Sequence, residues 1–215
     1  MKNLLKSEAN LTTILFDLDG TLVNSDAGHE AAYLAVLREH CPEALDRFSY
    51  DQLKGRPTRE AFRHLGLDEE LAPLKQLDYR RQVARGDVPI LPGAFDLLEE
   101  LRSRKHRLFL VTGASREGTD AVLRAHNLDV FFEGLVVGED TNFGKPDPAP
   151  YLACLRTFQL EAKNCIAIED SGNGLTSALA AGLLTVYVQS GAADSRTPWN
   201  YPSLKHFLKE IKSYG

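Results

Sequence analysis

Short apolar runs alternate with segments of helical periodicity along most of the chain. The apolar runs lie at 12–16, 108–112, 135–137, 165–168 and 184–188. Between them, apolar side chains recur three or four positions apart, as at Ala94, Leu97 and Leu101, which is the period of an amphipathic helix. Strands that alternate with helices predict an α/β fold, a Rossmann-like parallel sheet with helices on both faces. In such sheets ligands bind beyond the carboxyl ends of the strands.

The segment from about 25 to 87 interrupts this alternation. Its apolar residues follow a helical period, which includes Leu71 and Leu74, and no run within it is typical of a strand. Polar or Pro/Gly-rich stretches stand before and after it. We predict that residues 25–87 form a helical cap domain, inserted into a Rossmann-like catalytic core made of residues 1–24 and 88–215.

Composition and charge narrow the class of protein. The chain has 215 residues, of which 43% are hydrophobic and 26% charged, as expected of a globular protein with a core. Its net charge of -5 offers no basic field for nucleic acid or a membrane surface, so we expect neither as a partner. The apolar stretches are too short for a membrane span, and the N-terminus lacks the features of a signal peptide. Cys41, Cys154 and Cys165 lack metal-ligand spacing, which favours a reduced, cytoplasmic protein.

Acidic residues follow two of the predicted strands. Asp17 and Asp19 come after the first strand, and Glu169 and Asp170 end another. If these strand ends meet at one edge of a sheet, the carboxylates converge and require a compensating cation. An all-oxygen site suits Mg²⁺ better than zinc. The plainer alternatives are solvated acids at the strand ends, with Asp170 as the N-cap of the next helix.

Two further stretches carry groups that suit a phosphate. Thr112-Gly113 closes the second core strand with a hydroxyl and backbone N–H groups at the start of a helix, where phosphate is often bound. Lys145 stands between Gly144 and Pro146, in a stiff loop before a predicted helix. A lone lysine is usually a solvated surface charge. In this setting and order, Lys145 is instead a candidate to neutralise phosphate and carboxylate together.

The chain resembles the haloacid dehalogenase-like hydrolase superfamily. Its four ordered motifs are matched by Asp17-Leu18-Asp19-Gly20-Thr21, Thr112-Gly113, Lys145-Pro146 and Glu169-Asp170. The similarity covers almost the whole chain, and the inserted helical segment matches the family's cap domain. The branch it resembles most contains phosphoglycolate phosphatases, sugar-phosphate phosphatases and β-phosphoglucomutase. Dehalogenases of the superfamily lack the second aspartate, so the presence of Asp19 argues against dehalogenation.

The resemblance implies a role for each motif residue. Asp17 would be the nucleophile that accepts the phosphoryl group, and Asp19 would protonate the leaving oxygen and later deprotonate the hydrolytic water. Thr112 and the Gly113 amide would hold phosphoryl oxygens. Lys145 would offset charge beside Asp17. Phosphoryl transfer needs positioning and charge neutralisation above all, which agrees with these roles.

The resemblance also implies a metal site and its ligands. Mg²⁺ would be bound by Asp17, Asp170 and the main-chain carbonyl of Asp19, and Glu169 would complete or support this shell. In the cap, it implies His29, Arg56 and Arg59 as candidates for contacting the substrate.

These cap residues have plainer alternatives. His29 could be a surface residue of an amphipathic helix, and Arg59 could be solvated.

The sequence thus predicts a magnesium-dependent phosphatase for a small phosphorylated metabolite, as a monomer or homodimer. A sugar phosphomutase needs the same core and stays an alternative, as does a catalytically inactive family member. A nucleotide-binding module is a further alternative, since Gly172-Asn173-Gly174 partly matches a dinucleotide fingerprint, with Asp194 further on. Against it, Ser177 replaces the third glycine, and Glu169 and Asp170 would repel a pyrophosphate.

Overall fold

A computed structural model describes residues 11–53 and 57–213 of the chain. Its centre is a six-stranded sheet with the order β3-β2-β1-β4-β5-β6, in which every neighbouring pair is parallel. The strands are β1 Thr13–Phe16, β2 Arg107–Val111, β3 Gly134–Val136, β4 Cys165–Glu169, β5 Leu184–Val188 and β6 Asn200–Tyr201. The predicted α/β class with a Rossmann-like parallel sheet is therefore confirmed.

The predicted apolar runs match β1 to β5 to within one residue at each end. They could be found because a parallel sheet covered on both faces needs continuous apolar strands. β1 lies at the centre and all four of its residues are buried. The short edge strand β6 was not predicted, since two residues, Asn200 and Tyr201, carry no strand-like pattern.

Helices cover both faces of the sheet. In chain order they are α1 Asp26–His40, α2 Tyr50–Leu53, α3 Thr58–His64, α4 Ala72–Arg85, α5 Ala94–Ser103, α6 Arg116–Ala125, α7 Ala149–Thr157, α8 Gly172–Ala180 and α9 Leu204–Lys212. Apolar residues of α5, α6 and α9 share one buried cluster with Ile14 and Phe16 of β1. Residues of α7 and α8 share another with Leu15, on the opposite face of the same strand. None of the helices of the described residues is long and apolar enough to cross a membrane.

The segment between β1 and α5 is helical. It contains α1 to α4, and the described part of residues 25–87 includes no strand. Some of its aromatic and aliphatic residues, among them Tyr33 and Phe62, form a separate buried cluster, whereas Ala32, Tyr79 and Val83 belong to the cluster shared with β1. The two connections to the sheet run side by side, because Asn24 N donates to Pro89 O at 2.8 Å and Leu91 N to Leu22 O at 2.8 Å. The division of the chain into core and cap domains stays a prediction.

The buried face of α4 differs from the one that the sequence suggested. Lys75, Tyr79 and Val83 are buried, whereas Leu74 is 39% exposed. The reason is that α4 packs against α1 on one side and against the core helix α6 on the other. Arg80 of α4 also pairs with Glu117 of α6. These contacts turn the stripe that contains Lys75 inward, so the lysine is the residue that reaches the site described next.

Candidate active site

The acidic residues meet at the carboxyl edge of the sheet. Asp17 follows β1, is 6% exposed, and donates its backbone N–H to Ile168 O at 3.1 Å. Glu169 ends the neighbouring strand β4 and is fully buried, and Asp170 follows it. One side-chain oxygen from each of Asp17, Glu169 and Asp170 lies within 4.8 Å of the others. The convergence expected from the sequence is a consequence of β1 and β4 being parallel neighbours.

Gly20 allows Asp170 to approach the chain that follows β1. Its φ is +86°, and a Cβ at this position would lie 2.1 Å from Asp170 Oδ2. Any other residue would be strained here and would push the carboxylate away. The alternative that Asp170 is an N-cap is wrong, because Ser171 caps α8 through Gly174 N at 3.0 Å.

Lys145 links two of the carboxylates. Its Nζ lies 2.5 Å from Asp17 Oδ1 and 2.6 Å from Glu169 Oε1, and it donates to Val111 O at 2.9 Å. Burial alone would lower the pKa of Lys145, but the charges of Asp17 and Glu169 raise it above its usual value. Lys145 therefore stays a cation inside the site. The solvated-lysine alternative is excluded, because its side chain is only 11% exposed.

Glu169 is held from a second direction by Tyr151 of α7. The fully buried Tyr151 donates its hydroxyl to Glu169 Oε1 at 2.6 Å. A Cβ on Gly174 would lie 1.8 Å from Glu169 Oε2, so the glycine makes room for this carboxylate. Sequence reasoning missed Tyr151, because an apolar position of an amphipathic helix gives no sign of a hydroxyl contact.

The same geometry weakens the nucleotide-binding alternative. Gly174, part of the partial fingerprint, is adjacent to the side chain of Glu169, and a buried carboxylate there opposes a pyrophosphate. Asp194, the candidate for a ribose contact, instead pairs with Arg196 at 2.6 Å. Gly174 therefore serves the close approach of α8 to Glu169 at the end of β4.

Thr112 and Gly113 lie at the end of β2, beside β1. Thr112 is 2% exposed, and its Oγ1 accepts a hydrogen bond from Ala114 N at 3.0 Å, which leaves the hydroxyl hydrogen for another acceptor. A Cβ on Gly113 would meet nothing within 4 Å, so there is open space beside this backbone. Both observations suit an anion bound at this position.

The start of α6 is only partly available as a phosphate seat. Ser115 accepts from Gly118 N at 3.2 Å, and Glu139 accepts from Arg116 N at 3.0 Å. Glu139, in the loop after β3, thus accepts from one of the backbone N–H groups that the sequence suggested for binding phosphate. The remaining candidates are Thr112 and Gly113.

Asp19 faces residues of the helical insert. His29 Nε2 of α1 lies 3.7 Å from Asp19 Oδ1, and His29 Nδ1 lies 2.8 Å from Lys75 Nζ of α4. The His29 ring stacks on Tyr79 with 3.9 Å between centroids. The ammonium of Lys75 lies 4.7 Å from the centroid of the Tyr33 ring. The alternative of a surface histidine is excluded, because the side chain of His29 is only 18% exposed and its ring lies between Asp19 and Lys75.

The two aspartates of the first motif have opposite environments. Burial raises the pKa of Asp17 well above its usual range, and the neighbouring carboxylates add to this while Lys145 opposes it. Burial would raise the pKa of Asp19 as well, but His29, Ser25 and Lys75 stabilise its anion and lower it. The surroundings of Asp19 therefore favour its anion, and those of Asp17 favour a neutral carboxyl group unless a cation is bound beside it.

The carboxylate cluster fits a divalent cation bound through oxygen. Its members Asp17, Glu169 and Asp170 offer only oxygen ligands, which hard cations prefer. Burial and the repulsion between these carboxylates raise the pKa of Asp17, and a cation would relieve the repulsion. Within the described residues, Glu169 Oε2 and Asp19 Oδ1 are buried without a hydrogen-bond partner.

The structure says less about the two arginines that the sequence suggested as substrate contacts. Arg59 pairs with Glu70 at 3.0 Å and its side chain is 56% exposed. Arg56 lies outside the described residues. A role of either residue in contacting the substrate stays a prediction.

Comparison with known proteins identifies the class to which this fold and site belong. The sequence profile of the haloacid dehalogenase-like hydrolase family matches residues 14–188. The chain belongs to this family, as its motifs indicated.

Individual relatives agree with this assignment. Protein CbbY (plasmid) of Cupriavidus necator is 32% identical over 200 residues, which cover 82% of this chain and 77% of that protein. The phosphorylated carbohydrates phosphatase of Thermotoga maritima is 25% identical over 183 residues, 82% of this chain and 84% of that one. The structure of CbbY from Rhodobacter sphaeroides with phosphate has a TM-score of 0.79 at 22% identity, covers 94% of this chain and 99% of its own, and shows the shared fold. The relatives confirm the predicted enzyme class, a phosphoric monoester hydrolase of this family.

Proposed function

We propose that this protein is a magnesium-dependent phosphatase that hydrolyses a small phosphorylated metabolite through an aspartyl phosphate on Asp17. The observation that carries the proposal is the contact of 2.5 Å between Lys145 Nζ and Asp17 Oδ1, at the carboxyl end of the central strand. A buried carboxylate paired with a cation is held in one orientation. It can therefore serve as a positioned nucleophile.

In the first step, an oxygen of Asp17 attacks the phosphorus atom. The Thr112 hydroxyl and the Gly113 amide hold the phosphoryl oxygens, and Lys145 offsets the charge that accumulates beside Asp17. Catalysis of phosphoryl transfer consists mainly of such positioning and charge stabilisation. The covalent intermediate divides hydrolysis into two easier displacements.

Asp19 serves both displacements. As an acid it protonates the leaving oxygen, and as a base it then takes a proton from the water that attacks the aspartyl phosphate. His29, with Nε2 at 3.7 Å, and Lys75 behind it orient this carboxylate.

Mg²⁺ would be held by Asp17, Asp170 and the main-chain carbonyl of Asp19. When bound, it neutralises charge on the transferring phosphoryl group. The oxygen-only donor set and the crowding of Asp17, Glu169 and Asp170 within 4.8 Å support this choice over a metal that prefers nitrogen or sulfur.

For the substrate we propose a phosphoglycolate-type or sugar-phosphate-type monoester. The Thermotoga maritima relative is named for phosphorylated carbohydrates. Residues 25–87, with their own buried cluster, would act as the cap that closes over the leaving group and excludes water. His29, Arg56 and Arg59 are the proposed contacts of this cap with substrate.

The test is a phosphate-release screen over metabolite phosphomonoesters with Mg²⁺, with Asp17→Asn as the inactive control. We expect release from a small set of sugar or short-chain phosphates. Conversion of a sugar phosphate to its isomer, without free phosphate, would support the phosphomutase alternative. No turnover of any phosphomonoester by folded, Mg²⁺-loaded protein would refute the proposed function.

A further inference from the structure

Tyr151 and Lys145 both contact the same oxygen atom of Glu169. The Tyr151 hydroxyl lies 2.6 Å from Glu169 Oε1, and Lys145 Nζ lies 2.6 Å from that atom. Both donors come from one short stretch of chain, the loop before α7 and the first turn of that helix. Ser177 of α8 fixes this loop by donating to Asp147 O at 2.6 Å.

The second oxygen of Glu169 has a different environment. Among the described residues, Oε2 is buried without a hydrogen-bond partner, and it lies where a Cβ of residue 174 would be. An oxygen of Glu169 is also within 4.8 Å of those of Asp17 and Asp170. Glu169 is therefore close enough to join a metal at this cluster, yet one of its oxygens is committed to two donors.

We propose that Tyr151 is a positioning residue that keeps Glu169 as the counter-ion of Lys145 and out of the metal's ligand shell. The activity part of this inference rests on the proposed function. Two donors on Oε1 fix the carboxylate, and the fixed carboxylate in turn fixes Lys145, whose ammonium lies 5.2 Å from the centroid of the Tyr151 ring. Lys145 then reaches Asp17 in one orientation.

Tyr151→Phe is the direct test, because it removes the hydroxyl and keeps the ring beneath Lys145. A buried carboxylate that loses a donor needs another partner, and the metal at Asp17 and Asp170 is within reach. We expect Mg²⁺ and Mn²⁺ to bind about tenfold more tightly in titration calorimetry, while kcat for an aryl phosphate falls about tenfold with little change in KM. A merely structural role of the hydroxyl would not tighten metal binding.

Two further variants keep the test decisive. Glu169→Gln should bind Mg²⁺ within about threefold of the parent, because Glu169 is not a ligand, whereas Asp170→Asn should lose binding. Adding Tyr151→Phe to Glu169→Gln should change metal affinity less than about twofold, since the effect of the hydroxyl passes through the carboxylate. Thr197→Val is the matched control, because Thr197 also donates one buried hydroxyl hydrogen bond of 2.6 Å, to Thr185 O.

The proposal is overturned if Tyr151→Phe binds metal no more tightly than the parent, or if Glu169→Gln loses metal binding as Asp170→Asn does. Thermal unfolding of each variant confirms that it is folded, and Glu169→Gln decides the question alone should Tyr151→Phe not fold. Calorimetry needs no turnover. An inactive parent would therefore refute the proposed function while the metal titrations still decide the role of Tyr151.

Discussion

Lys75 Nζ lies 2.8 Å from His29 Nδ1 in the helical segment beside Asp19, where Lys75 is buried and the His29 side chain is 18% exposed. A lysine carries only donors, so Nδ1 of His29 must accept and Nε2 must carry the proton. His29 therefore presents an N–H to the carboxylate of Asp19. This relationship connects α4 of the insert with the proposed acid–base residue of the core.

Lys75→Met should lower kcat for an alkyl phosphate about tenfold, a part of the two to four orders of magnitude that general acid–base catalysis supplies. The loss should be much smaller with acetyl phosphate, whose leaving group needs no proton. Steady-state assays of both substrates check this, with Lys163→Met, a lysine that is 75% exposed, as the control. Equal losses with both substrates would show that Lys75 does not act through Asp19.

Lys75→Met should also stabilise the folded protein at pH 7. Burial lowers the pKa of Lys75 from 10.5 to about 8, so below pH 8 the folded state holds a buried cation at a cost of roughly 3 kcal/mol. Between these two pKa values the unfolded state binds more protons than the folded one, so the parent gains stability as the pH rises. Urea unfolding at pH 7 and at pH 10 should show Lys75→Met more stable at pH 7, with a smaller difference at pH 10. A constant difference would contradict the pKa assignment.

Activity should depend on a divalent cation. Chelator should abolish phosphate release and added Mg²⁺ should restore it, because the carboxylates around Asp17 need a compensating charge. Ca²⁺ should inhibit, since its longer bonds and looser geometry would misplace Asp17 against the phosphorus. Full turnover of the demetallated protein in chelator would rule out Asp170 as a metal ligand.

Substitutions of Asp17 and of Asp19 should block different steps of the reaction. Asp17→Asn should form no phosphoenzyme, because the attacking oxyanion is missing. Asp19→Asn should still become phosphorylated by acetyl phosphate, and its aspartyl phosphate should decay slowly because no base activates water. Intact-mass spectrometry should show one added phosphoryl group on the second variant alone. The reverse pattern would exchange the two roles.

Arg59 provides a test of the cap. If it contacts the leaving group, Arg59→Ala should lower kcat/KM for the best substrate about tenfold and for a small aryl phosphate hardly at all, because only the larger substrate uses remote binding energy. Arg63→Ala is the matched control, since Arg63 lies on the same helix and pairs with Glu69 as Arg59 does with Glu70. The same loss for both substrates would mean that Arg59 acts through structure or long-range charge.

Local pattern was enough to predict the sheet and the edge at which its acidic residues meet. Continuous apolar runs are required of strands that are buried on both faces, so β1 to β5 were recognisable within one residue. Parallel strands end at a common edge, and therefore the sequence alone placed Asp17 and Asp170 together.

Tertiary packing decided the rest. Which face of α4 is buried depends on where α1 and α6 meet it, so the structure buries Lys75 and leaves Leu74 39% exposed, against the apolar pattern. The partner of Glu169 likewise could not be predicted, because Tyr151 occupies an ordinary apolar position of α7. A single sequence shows the polarity of each residue and the spacing at which apolar residues recur. The atoms that a buried polar group contacts are set by the packing of distant elements, and at this site they determine the charge and orientation of the groups proposed for catalysis.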